Sequence, residues 1–354
     1  MILARDIGPG RWHGSSGRAR ADPGSSVVVV AGRETATSSD LDFEHRVVIV
    51  TGAGRNLGRE YALALAARGA RVLVNDLGVP ISDTDGRGDE TVGDPAGDVV
   101  DEIRASGGVA VANRDTIATV DGGRSIVENA LDEWGRVDAV VNNAGQVRLA
   151  PFDDFPEESL DALIDTQLRG TVNVSRPAWR AMRARADGSG GRIVNVSSGA
   201  AFGGVPDGTM YAMAKMGVIG LTRGMASEGR AHGIFTNVVV PYAKTRPGTG
   251  FGPIPWSDEL GEWLDPAQVA PVVVWLSHPS CELNGETICV GGGWYAGVET
   301  RLAAGVRDRA MRPADFSERT EELLHGGETP ITAFGSRAVR HLMDGFRPPE
   351  GGAS

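Results

Sequence analysis

Apolar residues along this chain fall into short unbroken runs separated by amphipathic stretches. Val47-Val48-Ile49-Val50, Val72-Leu73-Val74, Val109-Ala110-Val111-Ala112, Ala139-Val140-Val141, Ile193-Val194-Asn195-Val196 and Phe235 to Val240 have the length and content of buried strands. Tyr61 to Arg68, rich in Ala and Leu, reads as a helix between the first two. Continuous apolar strands alternating with helices predict a parallel sheet covered on both faces. The expected fold is α/β: one doubly wound parallel sheet forming a single domain over residues 45–298. Gly, Asp and Thr crowd the stretch from Gly78 to Gly97, which is expected to be a loop inserted after the second strand. It reads equally as a surface excursion or as a contact for a nucleotide or substrate tail.

The ends differ from this core. Residues 1–44, dominated by Arg, Gly, Ser, Pro and Asp, are expected to be a disordered extension. The run Val27 to Val30 is too short for the apolar segment of a signal peptide. Residues 299–344 are expected to form a C-terminal helical extension with a capped helix over Pro313 to Leu324, and 345–354 a disordered tail.

Composition narrows the partners. Apolar residues make up 41% of the 354, enough for a sizeable core. A net charge of −11 and a pI near 5.1 disfavour nucleic acid and anionic membrane surfaces. No apolar run approaches the ~18 residues of a membrane-spanning helix. Two cysteines, Cys281 and Cys289, cannot build a disulfide framework, and a reducing cytoplasm is the simple expectation. No metal-ligand motif is read.

The chemistry concentrates in a few positions. Tyr211 and Lys215, in Tyr-Ala-Met-Ala-Lys, share one face of a helix. A phenol near pKa ~10 is a poor base at neutral pH, and a neighbouring ammonium favours its phenolate. Ser198, brought in from a strand end, completes a proton-transfer site for an alcohol/carbonyl pair. Of 35 basic residues only Lys215 and Lys244 are lysines, and Arg would suit a compact proton relay poorly.

Directly after the first strand comes Thr51-Gly52-Ala53-Gly54-Arg55-Asn56-Leu57-Gly58, followed by a helix. Glycines there let the backbone approach a pyrophosphate at a helix N-terminus. Asn56 stands where a third glycine is expected, and Asn tolerates left-handed backbone. Asp76, closing the second strand, can accept bonds from ribose hydroxyls and repels a 2′-phosphate, favouring NAD over NADP. Arg55 pulls toward NADP, and the alternative for Asp76 is a helix or turn cap. Asn142-Asn143-Ala144-Gly145 follows the fourth strand where the crevice opens. Asp115 is placed either at the adenine edge or as a solvated turn acid.

With Thr-Gly-x3-x-x-Gly, Asn-Asn-Ala-Gly, Ser198 and Tyr211-x3-Lys215 in this order, the chain resembles the short-chain dehydrogenase/reductase family. Val74-Asn75-Asp76-Leu77-Gly78, Gly107 to Asn113, Arg176-Pro177-Ala178-Trp179 and Asn284 through Gly293 resemble its (3R)-hydroxyacyl-CoA dehydrogenase subgroup from multifunctional enzymes. The resemblance implies a Rossmann-type fold with Tyr211 as general acid/base and Lys215 lowering its pKa and holding the nicotinamide ribose. It further implies that Ser198 orients the substrate oxygen and that Asn142, Ala144 and Gly145 line the cofactor cleft. Pro241 and Thr245 would flank the nicotinamide amide. A homodimer or homotetramer is expected through the helix of Tyr211 and the one near Gly170 to Arg183.

Three positions depart from the family pattern. Gln167 replaces its Asn or His, retaining an amide for a water-mediated relay on a longer stem. Tyr242 replaces a common Gly after Pro241. Val205 to Met210 replaces the polar run usual in the acyl-CoA subgroup. The segment Arg246 to Trp263, with Phe251, Pro253, Pro255, Trp256 and Trp263, is expected to roof the substrate, with packing on the protein's own core an equal alternative for Trp263.

The leading reading is an NAD-dependent oxidoreductase interconverting a secondary alcohol and a ketone. A 3-hydroxyacyl thioester and a bulky steroid- or polyketide-like ketone compete as its substrate. An NAD-binding sensor or scaffold with weakened catalysis, supported by Gln167, is the reading from another class. Retention of Ser198, Tyr211 and Lys215 favours the enzyme.

Overall fold

The computed structural model describes residues 41–78, 93–244, 263–303, 306, 308, 310–325 and 328–330. Residues 1–40, most of the Gly78–Gly97 insert, Thr245, the roof segment up to residue 262 and the C-terminal tail lie outside the described residues.

Strands and helices alternate as the apolar runs imply. In order they are β1 (Val47–Thr51), α1 (Asn56–Ala66), β2 (Arg71–Asn75), α2 (Pro95–Ala105), β3 (Val109–Asn113), α3 (Val120–Trp134) and β4 (Ala139–Asn142). Then come α4 (Glu157–Ile164), a π-helical turn at Asp165–Arg169, α5 (Gly170–Arg183), β5 (Gly191–Val196), α6 (Ala200–Gly203) and α7 (Thr209–Gly229). Finally β6 (Ile234–Pro241), α8 (Ala270–Ser277), β7 (Thr287–Gly291) and β8 (Trp294–Gly297) complete one eight-stranded sheet, in the order β3-β2-β1-β4-β5-β6-β7-β8. All neighbours run parallel except β8, which pairs antiparallel with β7 at the edge.

Both faces of the sheet are buried, and β1 shows why its run is unbroken. Val48 and Val50 pack with Tyr61 and Leu65 of α1 and Val272 and Leu276 of α8. Val47 and Ile49 face the other way, onto Ile126 of α3 and Val174 of α5. Successive strand residues point to opposite faces, so a strand covered by helices on both sides must be apolar throughout. Each such side chain fully buried stabilises the fold by roughly 1.5–3 kcal/mol.

Local signals set the helix starts. Asp94 accepts the Gly97 N–H at 3.1 Å and Pro95 opens α2. Thr119 accepts the Gly122 N–H at 3.1 Å at the start of α3, which ends on left-handed Gly135. At α1, Arg55 supplies no side-chain cap. A helix start without a side-chain cap is the kind of end that can receive an anion.

Two boundaries differ from expectation. Phe43 is buried and packs edge-on against His278, so the core begins before residue 45. Toward the C-terminus, Pro313–Glu318 (α9) and Thr320–His325 (α10) are two short helices where one was expected, turning at Arg319. The same region holds an antiparallel pair, β9 (Arg301–Ala303) with β10 (Glu328–Pro330).

At the amino ends of the strands, buried Asp138 gathers Arg136, Arg185 and Arg46 and accepts the Val47 N–H at 2.9 Å. Burial alone would raise its carboxyl; the bonds from Arg136, Val47 and Arg185 hold it below the usual carboxylate range.

Candidate active site

The strand order reverses between β1 and β4, the switch point at whose carboxyl side a doubly wound sheet places its ligand crevice. The glycine loop lies on its floor. Gly52 takes φ +62, and a Cβ there would stand 2.7 Å from the Ala144 Cα. A Cβ on Gly58 would collide with the Gly52 carbonyl. Asn56 adopts left-handed φ +46, the conformation its amide side chain tolerates, and α1 begins there, earlier than the apolar pattern indicated. Leu57 and Arg55 are half-buried on either side of it.

Asn143 stitches this loop to β4. Its Nδ2 donates to the Thr51 and Gly52 carbonyls at 3.1 and 3.0 Å, while Thr51 Oγ1 accepts the N–H groups of Asn143 and Ala144, both at 3.1 Å. Asp76 also reaches the loop, accepting the Gly54 N–H on Oδ2 and the Gly78 N–H on Oδ1, each at 3.0 Å. The turn-cap alternative for Asp76 is thus realised, yet each oxygen keeps a further lone pair for a ribose hydroxyl. Asp115 Oδ2 accepts from Ser125 Oγ at 2.7 Å and Asn113 Nδ2 at 2.9 Å, the bonding of a turn acid.

Beside the crevice a polar chain crosses the sheet. Asn142 Nδ2 donates to Ser175 Oγ at 2.9 Å and to Asn195 Oδ1 at 2.8 Å, and Asn195 Nδ2 donates to Thr222 Oγ1 at 2.9 Å. Asn142 Oδ1 is buried with no hydrogen-bond partner among the described residues. A buried acceptor without a donor, a cradle that no Cβ could enter and an uncapped helix start together fit a dinucleotide. Ser175, Asn195 and Thr222 were not singled out from sequence. The available signal was an Asn interrupting the apolar run Ile193-Val194-Asn195-Val196.

The residues expected to transfer the proton converge from β5 and α7. Ser198, just past β5, is hydrogen-bonded to Tyr211 in the first turn of α7. Lys215, one turn on, donates from Nζ to the Val196 carbonyl at 3.0 Å and lies 5.8 Å from the Tyr211 ring centroid. Ser197 Oγ ties the Lys215 carbonyl to β5 at 2.9 Å. Both α7 residues are nearly buried, which shapes their acidities. Burial pushes Tyr211 up to about 12, with Ser198 drawing it back, and pushes Lys215 down to about 7. Burial therefore outweighs the attraction to the Lys cation that the spacing alone leads one to expect.

Gln167 occupies the π-helical turn. Its Nε2 donates to the Gln146 carbonyl at 2.7 Å, and its amide fills the space a Cβ on Gly145 would enter. The structure shows it holding this loop. Pro241 closes β6 half-buried, and Thr245 lies outside the described residues. Trp263 is exposed rather than packed into the core.

A nucleotide crevice opening onto a buried Ser-Tyr-Lys cluster defines a nicotinamide-dependent oxidoreductase acting on CH–OH groups. The short chain dehydrogenase family matches residues 46–247, and the chain belongs to it. It is 44% identical over 291 residues to the peroxisomal multifunctional enzyme type 2 of Mus musculus, covering 81% of this chain and 37% of that one. A hydroxyacyl-CoA dehydrogenase of Mycobacterium tuberculosis is 35% identical over 272 residues, 73% of this chain and 81% of its own length. The crystal structure of a short chain dehydrogenase from Mycobacterium avium superposes with a TM-score of 0.68 at 34% identity, covering 83% of this chain and 99% of that one. The chain thus spans little more than a third of the length of the mouse relative.

These relatives correct the expected location. The mouse enzyme, like relatives in Saccharomyces cerevisiae and Drosophila melanogaster, is named as peroxisomal, which overturns a plain cytoplasmic assignment. A low cysteine count separates reducing from oxidising surroundings and does not tell one reducing compartment from another.

Proposed function

We propose that the protein interconverts a (3R)-hydroxyacyl thioester and its 3-ketoacyl counterpart with NAD. The observation that carries this reading is the buried Ser198–Tyr211 hydrogen bond beside Lys215, at the carboxyl edge of the sheet. In oxidation Ser198 holds the substrate oxygen while Tyr211 Oη takes its proton; in reduction Tyr211 returns it. Nicotinamide, when bound, supplies the hydride acceptor or donor. Lys215, when protonated, favours the Tyr211 phenolate, and Leu163 and Ala214 packed beside Tyr211 keep the charge change in a dry setting. Gln167 maintains the loop that carries Gly145 and Gln146.

Asp76 supports NAD, since a carboxylate beside the glycine loop repels a 2′-phosphate. The thioester is supported by the subgroup motifs and by the hydroxyacyl-CoA dehydrogenase relative. A bulky cyclic ketone is the second reading, favoured by the apolar packing of Leu149, Val205 and Met210 around Tyr211. Met213 and Met216, large apolar residues exposed on α7, support a homodimer or homotetramer.

Absorbance at the NADH band, with NAD and a chain-length ladder of (3R)-hydroxyacyl-CoA, tests the proposal. NADH formation that disappears in Tyr211→Phe is the expected result. Silence across the ladder with NADH binding intact would remove the thioester and leave the cyclic ketone.

A further inference from the structure

Tyr242 stands where the family commonly has glycine, and the structure shows what its side chain does. Its N–H donates to the Val290 carbonyl at 2.7 Å, and its own carbonyl lies so close over Gly291 that no side chain fits there. From this fixed backbone the phenol crosses to the turn after β5. A Cβ on Gly199 would stand 2.6 Å from the Tyr242 Oη and 3.0 Å from Cζ. Gly199 has φ −57, which any residue adopts, so the ring rather than the backbone demands glycine at this position. The Tyr242 hydroxyl lies beside the Cys289 thiol on β7. Its ring meets Trp294 of β8 edge-on, centroids 6.3 Å apart at 66°.

A ring held from so many sides is rigid, yet it is not covered. Tyr242 remains 39% exposed and Trp294 46%. Together they make a preformed aromatic surface that starts at the residue following Ser198, whose hydroxyl is assigned to the reacting oxygen. Preformed surfaces bind without the entropic cost of ordering loose side chains. The phenol, the one polar group of Tyr242's side chain, is turned against Gly199 and beside Cys289. What is left to a ligand is aromatic carbon, which suits an alkyl chain or fused ring and not a charged group.

We propose that Tyr242 and Trp294 form one wall of the substrate site and that Tyr242 is a specificity-determining residue, taking the apolar part of the substrate beyond its carbinol carbon. The inference rests on the assignment of Ser198 and Tyr211 to the reacting oxygen. It also explains Gly199, the small partner that lets the ring lie against the turn.

Size selectivity of the full chain with NAD is the test, using acyl thioesters of increasing length and secondary cyclic alcohols of increasing ring number. In Tyr242→Ala and in Trp294→Ala, the ratio of kcat/KM for the largest to the smallest substrate falls about tenfold, the worth of roughly two methylenes of apolar contact. Tyr242→Phe keeps the ratio, because the ring and not the hydroxyl makes the wall. Gly199→Ala lowers the ratio by displacing the ring, and Gly199→Ala combined with Tyr242→Ala is no worse than Tyr242→Ala alone. A ratio unchanged in both alanine variants, or a loss equal for every substrate size, overturns the wall. Wild-type turnover of cyclic alcohols alone removes the thioester reading, while the same ratio still decides the wall. No wild-type turnover of either class overturns the catalytic assignment and the wall with it.

Discussion

Asp76 Oδ2 accepts the Gly54 N–H at 3.0 Å, so the acid that follows β2 holds the glycine loop that follows β1. One carboxylate thereby shapes the loop and, in the function proposed above, also receives the ribose hydroxyls. Asp76→Ala removes both. A hydrogen bond to a charged group contributes about 1.5–3 kcal/mol, so KM for NAD rises on the order of tenfold or more. Steady-state kinetics with NAD and NADP should show the preference for NAD shrinking, with kcat changed less than KM.

Gln167 gives a second prediction. Its Nε2 donates to the Gln146 carbonyl at 2.7 Å, and Gln167→Glu would replace that donor with a carboxylate oxygen. Burying such a group beside a carbonyl costs roughly 2 kcal/mol or drives it to protonate. Thermal unfolding should therefore show a Tm lower by several degrees at pH 8, recovering toward pH 5. A Tm unaffected by pH would show that Gln167 does not hold this loop.

The acidities of the catalytic pair predict a pH signature in the ligand-free protein. Lys215 is neutral in the folded state above about pH 7, while the unfolded lysine keeps its proton to ~10.4. Between these values the unfolded chain binds more protons, so stability rises with pH. Tyr211 acts at higher pH: its folded value of about 12 lies above the unfolded ~10, so its contribution is full below pH ~10 and is lost above it. Urea midpoints of wild type should gain on those of Lys215→Met from pH ~7 to ~10, and decline relative to those of Tyr211→Phe above pH ~10.

Asp138 tests the far edge of the sheet. Its replacement by Asn leaves the guanidinium groups of Arg136, Arg185 and Arg46 without their shared carboxylate. Breaking a buried ion network costs on the order of 3 kcal/mol. The folded carboxyl is held below its unfolded value, so its stabilisation is present above pH ~4 and is lost as pH falls through the folded value. Denaturant titrations of wild type and Asp138→Asn should differ at pH 7 and converge in acid. Turnover per folded molecule should be kept, because the network sits at the amino ends of the strands, away from Tyr211.

Much of the architecture was readable because its causes are local. Strand content follows from unbroken apolar runs, the glycine loop from its place between strand and helix, and the Tyr211–Lys215 pairing from one helical turn. Boundaries were less readable. Nothing in the apolar pattern marks Asn56 as the start of α1, because that start is set by the loop's left-handed turn. Asp76 could be placed at a strand end, but its bond to Gly54 depends on β1 and β2 lying side by side.

By itself the sequence determined the alternation of strands and helices, the glycine loop and the Tyr211–Lys215 pairing, since each depends on neighbours within a few positions. The tertiary structure decided how those residues behave. It brought Asn143 to Thr51 across 92 positions, Gln167 to Gln146, and Tyr242 onto Gly199. It also set the acidity of Tyr211, whose pKa burial raises despite the nearby lysine. The physical reason is common to all of these: contacts and desolvation depend on what the sheet order packs together, and pairing across parallel strands joins segments that the linear chain keeps far apart.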